Sequence, residues 1–567
     1  MRPTPAARLA ELQAVRSCYG PGCAARVEKL LASLGGARFA DTESLVHFHD
    51  ALLFLRAFPQ SRKVVVLTEG LLKGVGAEVV RLRDSGAEME LFDSEEFSGL
   101  AGTTIRDTFT YEVARWLASR FHGQLRVEWD PDEQYKQVWS SLPRYMPLLA
   151  DDCLVEADTP YLEWLNAASE GHVLSWLLER LERSSGSMLE KTAWYDALKI
   201  EIGWELGESS ASRTHARRNS SSYFYHDQPL LQRKQVSLEE EFRSAPLPVR
   251  RLSRKDGEGL LDQVREVLTV RYRELYGTTR GDAKQVIEAD AGRGVRIFLW
   301  GLPPERRLPL RAYLAGMTVK NGVPINYIEA IGLGEWMEIG FNTFYAFRDG
   351  ETAWVYSKVL HLLKQVAGIT CFSVYPYQIG QDNEEAIKSG AFWFYRKLGF
   401  RPGKAELLAL TEREEARIAR EPGYRTPART LRKLAAEHVF YETGDGPRGL
   451  WDRFATRNIG FAVGRQMAAK FKGDPETMRR KTSEWLAREL VVDVERWSAL
   501  EQAAFADFAV VLALLPEIKR WSVGEKRRVA EIIRAKVGAS EMEYLRLMQR
   551  HERLKRQILL LGSLGDQ

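Results

Sequence analysis

The segment Lys320-Asn321-Gly322-Val323-Pro324 separates two apolar runs, 312–319 and 325–333, each of strand length. Asn321-Gly322 supplies the positive φ angles that a tight turn between antiparallel strands needs, so this stretch predicts a β-hairpin. The surrounding segments alternate in type. Residues 248–251 and 295–299 read as strands, and 255–276 as a long amphipathic helix. Downstream, 337–347 and 369–374 read as strands, with helices at 352–366 and 389–398. Strands interleaved with helices predict a mixed α/β sheet built around the hairpin.

At 567 residues the chain is too long for one hydrophobic core and predicts about three domains. Hydrophobic residues make up 45% and charged residues 28%, with 15 Trp and 24 Phe, which excludes disorder as the main theme. The 81 basic and 77 acidic side chains leave a net charge of +4, without the basic excess of a dedicated nucleic-acid binder. Arg2 and Arg8 precede no apolar stretch of signal-peptide type, and the longest apolar run, 508–515, is too short for a bilayer. The expectation is a cytoplasmic protein without membrane contact. Cys18, Cys23, Cys153 and Cys371 lack zinc-finger spacing, which predicts reduced thiols. Cys18 and Cys23 bracket the turn Gly20-Pro21-Gly22 with no further ligand nearby, so two unpaired thiols and no metal are expected.

The pattern is helical over 24–123, where Leu45, Phe48, Leu52, Leu53 and Leu55 fall near a 3.6-residue period before Pro59. His47 and His49 point in different directions on such a helix, so both are expected on its surface. Residues 125–129 fit one short strand. This predicts a mainly helical N-terminal domain over 1–130 and a helical connecting region over 131–207. From 208 to 247 Ser, Arg and Asn dominate, and Tyr223, Phe224 and Tyr225 cluster. Nine Lys or Arg face four Asp or Glu over 211–254, so an exposed basic arm or linker is expected. Its cations and aromatics over 211–234 also suit a single-stranded nucleic acid such as tRNA. An α/β domain over 248–405 follows, then an all-helical domain over 406–567.

The late helix carries Ala391-Phe392-Trp393-Phe394-Tyr395-Arg396-Lys397-Leu398-Gly399-Phe400, with three residues between Phe394-Tyr395 and Gly399-Phe400. This motif, together with the order of elements over 248–403, resembles the GNAT-superfamily acyltransferases. The resemblance implies that the strands 337–347 and 369–374 are parallel neighbours that splay apart. Their unpaired backbone groups would receive the pantetheine arm of an acyl-CoA co-substrate. It implies a pyrophosphate at the start of the next helix, with Phe347, Arg348, Gly350, Thr352 and Ala353 as binding residues. Tyr395 takes the role of acid toward the departing thiolate, and Glu338, Glu329 or Glu335 that of base toward an amine. The alternative for Tyr395 is a core tyrosine, and for the glutamates a solvated strand face. The chain departs from the family at Lys388, where the family has Asn. It departs again at Asp349 and Glu351, two carboxylates where a phosphate would bind.

The expected function is therefore transfer of an acyl group from a thioester to a small-molecule or peptide amine. Two alternatives stand beside it. One is a transferase with aminoacyl-tRNA as donor, bound through the basic arm. The other is a catalytically degenerate scaffold or ligand-binding protein, which the acidic phosphate loop favours. Asp382, Glu384 and Glu385 read either as a holder for a cationic substrate or as a solvated loop.

Overall fold

The computed structural model describes residues 4–128, 144–157, 159–219, 223–444 and 448–563. The chain divides into two compact units. The first comprises Met1–Ser220, Tyr225–Gln228 and Asp262–Thr279, the second Ser221–Phe224, Pro229–Leu261 and Arg280–Gln567.

The first unit opens with helices Pro5–Val15, Cys23–Ser33, Thr42–Ala57, Arg62–Leu72 and Val75–Asp84. Asp41 caps the third by accepting the Ser44 N–H at 2.7 Å, and that helix is buried on nearly all sides. Strands β1 (Thr104–Asp107), β2 (Leu125–Glu128) and β3 (Glu201–Glu205) form an antiparallel sheet with β3 in the middle. Trp204 on β3 is fully buried against Phe121, 4.7 Å between ring centres. The sequence marks β2 only. β1 and β3 lie inside stretches whose surroundings read as helical, which hides them.

Three expectations for this unit are corrected. Cys18 and Cys23 form a disulfide across the Gly20-Pro21-Gly22 turn, because the turn brings their Cα atoms to 5.7 Å. His49 is not on a surface but fully buried, with Thr214 Oγ1 3.2 Å from its Nε2. The start of the basic arm is not exposed either: Ser212, Arg213 and Thr214 are buried. Arg213 donates to the carbonyls of Glu96 at 2.6 Å and Ser98 at 3.1 Å, and Thr214 O accepts from Arg56 at 2.8 Å. Backbone carbonyls thus offset much of the cost of burying this polar segment, although Arg213 Nε meets no acceptor among the described residues.

The second unit is built on a sheet of nine described strands. These are β4 (Val249–Arg251), β5 (Ile287–Gly292), β6 (Val295–Trp300), β7 (Ala312–Lys320), β8 (Val323–Leu333), β9 (Trp336–Thr343), β10 (Cys371–Val374), β11 (Arg401–Pro402) and β12 (Val439–Glu442). Their order is β11-β12-β10-β9-β8-β7-β6-β5-β4. Every pairing is antiparallel except β9 with β10. The β7–β8 hairpin turns at Asn321 and Gly322, whose φ angles are 50° and 82°. The helix Thr352–Ala367 connects β9 to β10 and packs Tyr356 on Phe341, 4.9 Å between ring centres.

Thus the chain is mixed α/β, with a large central sheet and helical flanks. Several boundaries differ from expectation. β9 ends at Thr343, and Tyr345–Phe347 winds into a 3₁₀ turn. The helix at 389–398 is two short helices, Glu384–Ser389 and Ala391–Arg396, broken at Gly390 with φ 69°. The region 406–567 is not all-helical, because β12 enters the sheet between β10 and β11. Helices then fill the remainder: Thr456–Phe471, Pro475–Leu490, Ala499–Leu512, Val523–Lys536, Glu541–Gln549 and Glu552–Ser563. No helix among the described residues is long and apolar enough to cross a membrane.

Candidate functional site

The parallel seam of the sheet is short. Trp336, Met337 and Glu338 pair with Cys371, Phe372 and Ser373, and there the pairing stops. β9 runs on to Thr343, whereas β10 ends at Val374 and Pro376 starts a one-turn helix, Pro376–Ile379. That turn returns Gln378 to the exposed edge of β9. Gln378 Nε2 donates to Ile339 O at 3.3 Å, and the Phe341 N–H donates to Gln378 Oε1 at 3.4 Å. The same Oε1 accepts the Tyr395 hydroxyl at 3.4 Å. One side-chain amide therefore satisfies both backbone groups that the divergence of the strands leaves unpaired.

Tyr395 is 6% exposed and packs edge-on against Tyr356 and Phe400, with ring centres 5.7 Å away in each case. Burial raises its phenol above the usual tyrosine range.

The start of the crossover helix is also filled from within. Glu351 precedes Thr352 and is 1% exposed. Its carboxylate accepts from Arg293 Nε at 3.2 Å and from the Leu231 N–H at 3.1 Å, and Lys320 Nζ lies 3.8 Å away. Burial depresses the Lys320 amine to about 7. Phe224 lies under both cations, 5.0 Å from the Arg293 guanidinium and 4.9 Å from Lys320 Nζ. A carboxylate at a helix N-terminus complements the helix dipole, so Glu351 already supplies the negative charge that this position favours.

The other residues expected at a pyrophosphate site gather here without facing a common point. Phe347 and Ala353 are buried, and Arg348 and Asp349 are exposed. The Gly350 N–H donates to Phe347 O at 2.9 Å, and the Thr352 hydroxyl to Arg348 O at 3.4 Å. Arg348 pairs with Glu385 and lies 3.9 Å over the Tyr345 ring. Glu384 pairs with Arg432 at 2.8 Å, so two of the three acidic-loop carboxylates have cationic partners.

The strand glutamates separate into two groups. Glu329 lies opposite Gly340, and Glu338 opposite Ile331, which puts both carboxylates on one face of the sheet as diagonal neighbours. Glu329 accepts the Tyr313 hydroxyl, and its burial raises its carboxyl above the usual range. Glu338 meets His438 Nε2 at 2.8 Å, and Tyr375 packs edge-on against that imidazole at 5.4 Å. Gly340 between them keeps the face open: a Cβ there would meet Gln378 Nε2 at 3.3 Å and Glu329 Cβ at 3.5 Å. Asn342 Nδ2 donates to Tyr327 OH at 2.6 Å on the same face. Glu335 precedes β9 at the other end of the strand, 3.6 Å from Lys555.

Sequence reasoning missed Gln378, Tyr313, His438, Arg293 and Lys320. Only Lys320 left a trace, as a cation ending an apolar strand. The arm residues meet partners within their own units. Arg217 pairs with Glu69 at 2.7 Å, and Asn321 brackets the Phe224 backbone at 2.8 and 3.0 Å. Among the described residues, no group of three or more His, Cys, Asp or Glu could hold a metal ion.

Comparison with known proteins finds no matching family model, no matching curated protein and no matching solved structure.

Proposed function

We propose that the second unit contains a GNAT-like domain that recognises an amine-bearing ligand on its Glu329–Glu338 face, with its acyl-CoA cleft closed by its own side chains. Support for the GNAT-like reading comes from the parallel β9–β10 pair, the crossover helix between them and the motif around Tyr395. The observation that carries the functional reading is Gln378. Its amide holds Ile339 O and Phe341 N–H, the backbone groups a pantetheine arm would pair with. Glu351 holds the helix start in the same way. The sheet face beside Gln378 offers Glu329, with the Tyr313 hydroxyl on it, and Glu338, with His438 on it, and neighbouring carboxylates suit a protonated amine.

Calorimetric titration tests this directly. Wild-type protein should bind 1,4-diaminobutane and not acetyl-CoA, and Glu329→Gln with Glu338→Gln should weaken the diamine at least about 10-fold. Binding of acetyl-CoA by the wild-type protein would overturn the closed-cleft reading.

A second reading is acyl transfer, favoured by the length of the Gln378 bonds. At 3.3 and 3.4 Å they lie beyond the ordinary N–H···O range, so displacement costs little. With Gln378 displaced, Ile339 O, Phe341 N–H and the Tyr395 hydroxyl all face one place. Tyr395 would then protonate a departing thiolate, and Glu329 or Glu338 would deprotonate the amine. Acetyl-CoA binding that appears only in Gln378→Gly would select this reading. An aminoacyl-tRNA donor has less in its favour, since Arg213 is buried and Arg217 is paired.

A further inference from the structure

A second hollow lies at the other end of the same sheet. It adjoins Glu335 before β9, Cys371 at the start of β10 and Glu442 at the end of β12, whereas Gln378 follows the C-terminal end of β10. Its volume is about 1210 Å³, and its apolar lining includes Trp451, Trp521, Leu450, Leu559 and Leu560. That is room for more than one drug-sized ligand, in a place that the Glu329 face does not touch.

Its polar lining is unequally satisfied. Glu442 pairs with Arg401 at 2.7 Å, Glu517 accepts from Gln557 at 3.0 Å, and Glu552 holds Lys555 at 3.1 Å. Lys555 also reaches Glu335 at 3.6 Å, and Arg553 reaches Glu525 at 3.4 Å. Glu335 Oε2 is the one buried acceptor of the lining without a donor among the described residues.

The donors stand differently. The indole N–H groups of Trp451 and Trp521, residues 3% and 5% exposed, have no acceptor among the described residues. Trp451 is held by stacking on Trp336 at 5.4 Å, and Trp521 lies against His551 at 5.1 Å, so both rings are fixed. Arg520 and Arg556 line the same hollow, are exposed, and are paired with no carboxylate among the described residues. Both indole N–H atoms are themselves sealed from solvent, so the two rings wall the hollow without presenting these donors to it. The two guanidinium forks favour a carboxylate or phosphate, whereas an amine would find Glu442, Glu517 and Glu552 engaged and Glu335 Oε2 sealed from solvent.

We propose that this hollow binds a small amphipathic anion, an apolar chain or ring that ends in a carboxylate or phosphate. Arg520 and Arg556 take the anionic end, and Leu450, Leu559, Leu560 and the Trp451 and Trp521 rings receive the apolar part. The site is independent of the Glu329 face and of any acyl-CoA cleft.

Calorimetry on the full chain with octanoate, octyl phosphate, octanol and octylamine tests the assignment. At least one of the two anions should bind, with octanol and octylamine weaker by about 10-fold or more. The tighter anion identifies the headgroup. Arg520→Gln combined with Arg556→Gln should weaken it about 10-fold or more without moving the melting temperature, because both side chains are exposed. Three results would overturn the proposal: no binding of either anion at millimolar concentration, octanol binding as tightly as octanoate, or undiminished affinity in the double arginine variant.

Discussion

Acidification should loosen the first unit through a single histidine. His49 is fully buried, and burial depresses its imidazole to about 4 from an ordinary value of 6.5. Arg213 and Arg56 push in the same direction, and Asp50 in the opposite one. Near neutrality the ring is therefore uncharged, and its 3.4 Å approach to Asp50 Oδ1 is a polar contact, not an ion pair. The unfolded chain binds a proton near pH 6.5, whereas the folded chain resists it until about pH 4. Stability consequently falls as pH drops through this window and is flat above it. Integrated from pH 7.5 to pH 5, one proton with these two values costs about 2 kcal/mol. Glu266, Glu274 and Asp107 of the same unit, whose carboxyls burial raises, act in the opposite direction, so the comparison with a His49 variant isolates the histidine's share. Hydrogen exchange of peptides spanning Thr42–Ala57, measured at both pH values with correction for intrinsic rates, reads the local opening free energy. His49→Gln keeps a polar group near Thr214 without a titrating ring. It should lower stability at pH 7.5 and abolish most of the pH difference. An equal pH difference in wild type and variant would refute the assignment to His49.

Lys320 makes the second unit respond at higher pH. With its amine at about 7 in the fold, stability should rise from about pH 7 toward 10, where the unfolded chain still holds the proton. Lys320→Met should remove that rise in denaturant titrations. Tyr395→Phe keeps the packing and removes one hydrogen bond to Gln378, so the unfolding free energy should change by about 1 kcal/mol or less. If the Gln378→Gly variant proves able to transfer acetyl groups, adding Tyr395→Phe should lower its turnover about 100-fold; full turnover would assign Tyr395 to packing alone. Gly340→Val should weaken 1,4-diaminobutane several-fold, because the added side chain enters the space between Glu329 and Glu338.

The elements legible in the sequence were those whose cause is local. Asn321-Gly322 dictates its own turn, and a helical period between two apolar runs announces the crossover helix whatever surrounds it. β12 was hidden because its four residues follow the helices Ala405–Arg420 and Ala428–Leu434 and acquire meaning only beside β10. His49 was misjudged because divergence from His47 identifies a surface only when the helix has one, and Thr42–Ala57 is buried nearly all round. The site was less readable than the fold. Glu351 was seen as a charge hostile to phosphate, yet its partners Arg293 and Lys320 lie far away in sequence and carry no mark of the pairing. Gln378 is an ordinary polar residue until β9 presents an unpaired carbonyl and N–H to it.

The three-residue seam between β9 and β10 also sets an order of assembly during synthesis. β4 to β9 are six strands in which each pairs with its neighbour in sequence, and from β5 onward those pairings close short loops. That half can form while the C-terminal part of the chain is still being made. β10, β11 and β12 must wait for the crossover helix and for the helices between 405 and 434. Until they arrive, β9 presents an open edge to the cell, from Trp336 to Thr343, at the point where a nascent chain is most exposed to mispairing.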